Sequence, residues 1–195
     1  EVGGTVEDQG DAFGDLGVLF ILIVILVYIV MATQFESLLF PFIIMFTIPF
    51  AFTGVFLALW MTSTPLSLIA LIGAIMLVGI VTKNGIVMVD YMNLLVERGS
   101  GVFDAVIAGG KSRLRPVLMT SFTTILGMLP LAIGTGAGSE TWQPMGIAVI
   151  GGLTCSTLLT LFIIPALYSV FVNRSQRKEK EKLARLSAEH QASVH

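Results

Sequence analysis

Long stretches without a charged residue constrain this chain more than any other feature. The first covers residues 16–33, eighteen residues rich in Ile, Leu and Val. At 1.5 Å per residue a helix of this length covers about 27 Å, close to the thickness of a bilayer core. Charged residues are only 12% of the chain, too few for a soluble globule of 195 residues to cover its apolar surface. The chain is therefore expected to be an integral membrane protein.

Four further apolar stretches follow, and together they predict an all-α fold with five transmembrane helices. The predicted spans cover residues 16–33, 38–61, 66–90, 116–133 and 144–172. The third helix is expected to continue to about Glu97 and project into the interface. Glycine pairs at residues 99–101 and 109–110 predict a cytoplasmic loop over residues 98–115, in which residues 102–108 could form a short interfacial helix. Pro116 is expected in the first turn of the fourth span. The transmembrane domain is thus expected over residues 15–173, between a segment 1–14 and a charged tail 174–195.

The basic residues predict the orientation of these spans. Ten of the eleven lie in the 98–115 loop or in the tail, which an alternating topology places on one side: Arg98, Lys111, Arg113, Arg115, Arg174, Arg177, Lys178, Lys180, Lys182 and Arg185. By the positive-inside rule this side is the cytoplasm. The N-terminal segment carries five acids and is expected outside: Glu1, Glu7, Asp8, Asp11 and Asp15.

The eleventh basic residue, Lys83, interrupts the third span. A lysine at the centre of a membrane helix costs about 3 kcal/mol on insertion scales, and ionisable groups at such positions are functional by default. The alternative is a lysine whose ammonium snorkels to the headgroups. Apolar residues continue the helix past it, and Asn84 beside it indicates a protein-lined environment. Lys83 is therefore interpreted as a functional residue.

Asp90 shares a helix face with Lys83 but lies about 10 Å further along the axis, too far for a direct ion pair. It is the only acid within the five spans, so the counter-charges of Lys83 are expected from another segment or subunit. The hydroxyl residues near the start of the fourth span bond backbone carbonyls, pack against neighbouring helices, or carry water and protons: Thr120, Ser121, Thr123 and Thr124. The recurring Gly73, Gly79 and Gly85 are interpreted as helix-packing sites.

Other chemistry finds little support in the residues. No histidine precedes His190, and Cys155 is the only cysteine, so no metal site and no disulfide is expected. A membrane enzyme would need a nucleophile or acid with a base beside it inside the spans, and no such pair is present in the sequence. No cofactor and no nucleic-acid partner is predicted, and the lipid bilayer is the first expected partner.

Four motifs in order resemble a known family. They are FESLLFPFIIMFTIPFAFTGV, LIGAIMLVGIVTKNGIVMVDY, RLRPVLMTSFTTILGMLPL and GTGAGSE, and the match covers roughly residues 14–174. The chain resembles the C-terminal transmembrane half of the resistance-nodulation-division efflux pumps. It is most similar to the hydrophobe and amphiphile exporters of the acriflavine-resistance type in Gram-negative bacteria.

The resemblance implies helices eight to twelve of a twelve-helix protomer, with residues 1–14 ending a periplasmic porter region. It implies a proton relay in which Lys83 faces two aspartates of the missing N-terminal half, together with Thr120 and Arg113. Asn84 matches the usual neighbour of that lysine, and Asp90 is a further candidate for the relay or for a cytoplasmic proton exit. It also implies an inner-membrane homotrimer that exports drugs against protons through a periplasmic adaptor and an outer-membrane channel.

Two alternatives stay open from the sequence. A heavy-metal exporter of the same superfamily would line its route with methionine clusters, whereas the methionines here are scattered on apolar spans and are interpreted as packing residues: Met31, Met45, Met61, Met76 and Met88. A non-transporting helical scaffold would use Lys83 only to pair with a partner helix.

Overall fold

The computed structural model describes residues 2–134, 136 and 138–193, and within them the side chains of residues 9–174. Every regular element in this part of the chain is an α-helix: α1 (Val2–Phe35), α2 (Leu39–Met45), α3 (Ile48–Met61), α4 (Leu68–Glu97), α5 (Val102–Ile133) and α6 (Ser139–Ser193). Five segments among the described residues are long and apolar enough to cross a membrane: Gln9–Phe35, Leu39–Met61, Leu68–Glu97, Val102–Ile133 and Ser139–Arg174. The predicted all-α fold with five long apolar helices is confirmed.

Some of the predicted charges lie outside the described residues. This holds for Glu1 and for the side chains of Glu7, Asp8 and the tail from residue 175 onward. Asp11 and Asp15 are described, and both are exposed on α1, which begins well before residue 16.

The second span is split into two helices just before Pro49, whereas Pro41 lies within the first of them. Helix α2 ends before Phe46, and α3 begins at Ile48 with Pro49 in its first turn, where the missing N–H costs no helical hydrogen bond. The buried Thr47 bridges the break by donating its hydroxyl to the carbonyl oxygen of Ile44 at 2.6 Å. The buried hydroxyl of Thr47 is therefore hydrogen-bonded although the helix is interrupted there.

The predicted interruption at residues 109–115 is wrong, whereas the short helix expected at residues 102–108 is present as the start of a longer one. Only residues 98–101 separate α4 from α5, and α5 then runs without interruption through Gly109, Gly110 and Pro116 to Ile133. Gly109 does not end the helix because it packs closely against α4, where an added Cβ would lie 2.7 Å from Cγ of Met92. Pro116 is an interior residue of α5, and not the start of the fourth span. Membrane helices tolerate such prolines because neighbouring groups satisfy the freed carbonyl.

The remaining turns follow local chemistry. Ser67 caps α4 by accepting a hydrogen bond from the Ala70 N–H at 3.2 Å, so this helix begins two residues later than predicted. Helix α5 ends at Gly134, whose φ of 72° is the left-handed conformation that favours glycine at a helix C-terminus. Helix α6 begins at Ser139 and includes Pro144, so the fifth span starts earlier than expected.

Helix α6 lies at the centre of the bundle and packs against α3, α4 and α5, and to a smaller extent against α2. Glycine allows α3 and α6 to approach closely: a Cβ on Gly54 would lie 2.7 Å from the carbonyl oxygen of Gly151, and one on Gly152 would lie 3.1 Å from that of Ala51. Helix α1, in contrast, packs mainly against α2 and α4, with one aromatic contact from Phe20 to Phe52 of α3, and few of its described residues are buried. The bundle thus has a tightly packed centre and an open side along α1 and α4.

Candidate functional site

Lys83 lies on the open side of the bundle. It stands 15 residues after Leu68 and 14 before Glu97, so it is central in α4, about 22 Å from either helix end. Its side chain is exposed and lines an open groove of about 340 Å³ between α1 and α4. The other residues of the groove are Leu26, Val27, Val30, Met31, Gly79, Thr82, Ile86 and Val87.

The groove supplies no charge that balances the lysine. Its lining contains no carboxylate, and the Thr82 hydroxyl is used by a 2.6 Å hydrogen bond to the carbonyl oxygen of Val78. Gly79 adds open space one turn before Lys83, because a Cβ built on it would have no neighbour within 4 Å. Gly73 and Gly85 differ, since a Cβ on them would meet Met145 and Ile44 respectively. Two of the three glycines therefore pack within this chain, and the third faces the groove.

Asn84 and Asp90 both follow Lys83 in α4, and they lie on different sides of the helix. Asn84 is only 8% exposed, and it is not among the residues that line the groove. Asp90 is exposed, two helical turns further along the face that carries Lys83. A role for Asp90 or Asn84 beside Lys83 stays a prediction.

Thr120 lies on the exposed side of α5. Its hydroxyl donates to the carbonyl oxygen of Val117 at 3.0 Å, and that of Thr124 donates to the carbonyl oxygen of Thr120 at 2.9 Å. Ser121 is different, because it is buried and shares a 2.9 Å hydrogen bond with Thr157 of α6. Ser121 therefore joins α5 to α6, whereas Thr120 remains available on the outer surface of this chain.

Arg113 contacts α4 through an aromatic ring. Its Cζ lies 4.5 Å from the ring centroid of Tyr91, within the range of a cation–π interaction. Its Nε is buried without a hydrogen-bond partner among the described residues. Sequence reasoning named Arg113 but gave Tyr91 no role, because the pair is 22 residues apart and only the unbroken start of α5 brings them together.

The candidate residues thus occupy three places in this chain. Lys83 lies in the groove between α1 and α4, Arg113 lies over Tyr91 between α4 and α5, and Thr120 lies on the outside of α5. No hydrogen bond joins these three side chains within the part of the chain that the structure describes. Lys83 is thus an ionisable residue in the middle of a helix of membrane-spanning length, and its groove contains no counter-charge.

Comparison with known proteins identifies the family. The profile of the AcrB/AcrD/AcrF family matches residues 1–172, and the chain belongs to this family of resistance-nodulation-division efflux transporters. It is 44% identical over 156 residues to the multidrug resistance protein MdtC of Erwinia tasmaniensis, which is 79% of this chain and 15% of that protein. It is 38% identical over 179 residues to the cobalt-zinc-cadmium resistance protein CzcA of Cupriavidus metallidurans, which is 92% of this chain and 16% of that protein.

Two further similarities agree with this assignment. The swarming motility protein SwrC of Bacillus subtilis is 38% identical over 179 residues, covering 91% of this chain and 17% of that protein. The crystal structure of a heavy metal efflux pump matches 86% of this chain and 16% of its own with a TM-score of 0.77 and 32% sequence identity. The chain therefore spans about one sixth of the length of the relatives that it matches.

Proposed function

We propose that this chain carries the C-terminal transmembrane half of a proton-driven multidrug exporter, including part of its proton relay. The observation that carries the proposal is the position of Lys83, an exposed lysine in the middle of a membrane helix whose groove contains no carboxylate. A cation in such a place costs several kcal/mol unless other charges surround it. The family membership supports the proposal that the rest of the protomer supplies these charges.

The open side of the bundle has the shape that such a partner requires. Gly79 leaves space one turn from Lys83, and small residues let membrane helices approach closely. On α5 a second line of small or hydroxyl residues is exposed at intervals of three and four: Pro116, Thr120, Thr123, Gly127 and Pro130. We infer that helices of the N-terminal half cover both surfaces and bring an intramembrane aspartate pair to Lys83, with Thr120 facing the same helices.

The proposed mechanism follows from electrostatics. Deprotonated carboxylates attract the Lys83 ammonium, and protonation of the carboxylates removes that attraction. Lys83 then changes its partners, and α4 moves with it, since a buried charge and its counter-charges separate only at a high cost. Arg113 and Thr120 complete the relay in this proposal, while Asn84 and Asp90 are candidates for further steps. Protons entering the cell by this route drive the export.

The proposal extends to location and partners. The transporter is placed in the bacterial inner membrane with the N-terminus of this segment periplasmic and its basic tail cytoplasmic. It is a homotrimer, and in a host with an outer membrane it works with a periplasmic adaptor and an outer-membrane channel. The resemblance places the substrate pockets in periplasmic loops outside this chain. Its activity is transport rather than enzyme catalysis, and it uses no cofactor.

The test replaces Lys83 in the complete transporter. Lys83→Ala is expected to reduce ethidium efflux and drug tolerance of the host to the level of cells without the transporter. Lys111→Ala is the matched control, because Lys111 is an exposed lysine of α5 outside the proposed relay. Normal efflux by Lys83→Ala at an unchanged amount of protein in the membrane would contradict the relay and favour a scaffold in which Lys83 only pairs with a helix.

A heavy-metal exporter is the second candidate function. It is favoured by the relative named for cobalt, zinc and cadmium resistance and by the structural match to a heavy metal efflux pump. The methionines do not add a metal route within this chain: Met31, Met88 and Met92 are buried in the core, whereas Met61 and Met76 are exposed on its outside. The metal exporter would be established if the transporter made its host tolerant of Zn²⁺, Co²⁺ and Cd²⁺ but not of ethidium. Loss of this metal tolerance in Lys83→Ala would show that the metal exporter uses the same relay.

A further inference from the structure

We infer that Tyr91 is a positioning residue for Arg113: its ring holds the guanidinium beside α4 while leaving the N–H groups of the arginine available. The inference rests on the proposed function, since it assigns a residue to the proposed relay. Tyr91 ends the motif that contains Lys83, but the resemblance gives it no role in the relay, and only the structure brings it to Arg113.

The first observation is the contact itself. Cζ of Arg113 lies 4.5 Å from the ring centroid of Tyr91. An aromatic face attracts a cation through its quadrupole, and this attraction uses none of the five N–H donors of the guanidinium. A carboxylate in the same place would accept two of these donors and hold the arginine in one arrangement.

The second observation is the unpaired Nε of Arg113. This atom is buried, yet it has no acceptor among the described residues, although buried donors in proteins are nearly always hydrogen-bonded. An acceptor from outside this chain, a carboxylate or a water, therefore completes the site. The ring supplies the position and the external acceptor supplies the hydrogen bond, so the acceptor is free to change while the arginine stays in place.

The third observation is the helix packing that makes the contact possible. Gly109 precedes Arg113 by one helical turn and touches Met92, the neighbour of Tyr91. A Cβ at Gly109 would lie 2.7 Å from Cγ of Met92, so glycine brings α4 and α5 together just beside the arginine. Tyr91 in turn lies eight residues after Lys83, about 12 Å along the same helix. A movement of α4 that starts at Lys83 is therefore transmitted directly to Arg113.

The test compares Tyr91→Leu with Tyr91→Phe in the complete transporter, using ethidium efflux from energised cells or the metal efflux that the host shows. Tyr91→Leu is expected to lower the maximal transport rate by roughly twofold to thirtyfold, the factor to which a cation–aromatic attraction corresponds, with little change in the substrate concentration at half-maximal rate. Tyr91→Phe keeps the ring and is expected to restore the rate. Phe103→Leu is the control, because it removes an aromatic ring that is 69% exposed on α5.

A series of fluorinated phenylalanines at position 91 separates the electrostatic role from packing. Added fluorines weaken the negative face of the ring with almost no change of shape, so the rate is expected to fall with each fluorine. A rate independent of fluorination, or an equal loss in Tyr91→Leu and Tyr91→Phe, would overturn the inference. The inference would also be overturned if Tyr91→Leu lowered the transport rate further in a transporter that already carries Arg113→Ala, because the ring then has no cation to hold.

The two proposals fail in different ways. Unchanged efflux by Lys83→Ala would overturn the proposed relay itself. A transporter that needs Lys83 but keeps its full rate in Tyr91→Leu would retain the relay and overturn only the role of Tyr91.

Discussion

At the scale of single residues, the polar side chains in these helices have one of three kinds of environment. Most threonines return their hydroxyl to a carbonyl of their own helix, as Thr154 does with Ile150 at 2.7 Å. Ser121 and Thr157 bond each other across two helices. Lys83 has no carboxylate in its groove to balance its charge. It therefore needs partners from outside this chain, whereas the hydroxyl residues only stabilise the bundle.

The Ser121–Thr157 hydrogen bond predicts a measurable stability difference. Thr157→Val leaves the buried Ser121 hydroxyl without its partner and is expected to lower the free energy of unfolding by about 0.6–1.7 kcal/mol, the range for such bonds between membrane helices. The measurement is unfolding of this chain in detergent micelles by SDS, followed by circular dichroism. Thr154→Val is the control, since its exposed hydroxyl bonds only its own helix. Equal losses in the two variants would show that the bond across the helices adds nothing.

At the scale of the elements, α5 shows why a glycine pair is ambiguous in a membrane protein. In water each glycine in a helix costs up to about 1 kcal/mol relative to alanine, which favours a break at residues 109–110. In the bundle Gly109 allows close contact with Met92, and Gly110 simply continues the helix. Adjacent glycines with the same sequence context thus have different roles, decided by the side of α5 on which each lies.

This difference predicts the outcome of one substitution at two neighbouring positions. Gly109→Leu is expected to separate α4 from α5 and destabilise the protein by about 1–3 kcal/mol, the usual cost of overpacking. Gly110→Leu, with no neighbour within 4 Å of its Cβ, is expected to have almost no effect. The thermal stability of the purified complete transporter is the measurement. Gly109→Leu should also lower transport, as Tyr91→Leu does, because it displaces Arg113.

At the scale of the whole molecule, the bundle is closed on one side and open on the other. Helix α6 packs against four neighbours, whereas α1 and the outer side of α5 leave most of their apolar residues unburied. Apolar exposure is compatible with lipid, but an exposed Lys83 and a bare Gly79 beside it are not explained by lipid alone. The open side is therefore the surface on which we expect the rest of the proposed protomer to pack.

The open side predicts a conditional effect of Gly79→Leu. In this chain the new side chain meets nothing, so its stability in micelles is expected to stay unchanged. In the complete transporter the same change should obstruct the covering helices and lower efflux, while Gly110→Leu should leave efflux normal. Full activity of the Gly79→Leu transporter would show that no helix packs closely at this position.

The sequence by itself determined the membrane class, the five spans and the choice of Lys83, because hydropathy and an isolated charge are local properties of the chain. The resemblance added roles for Arg113 and Thr120 in the same way, position by position. Only the tertiary structure decided that α5 is continuous, that Gly79 is bare while Gly73 packs, and that Arg113 lies over the ring of Tyr91. These features depend on which helix faces meet and at what distance, and residues remote in sequence settle both.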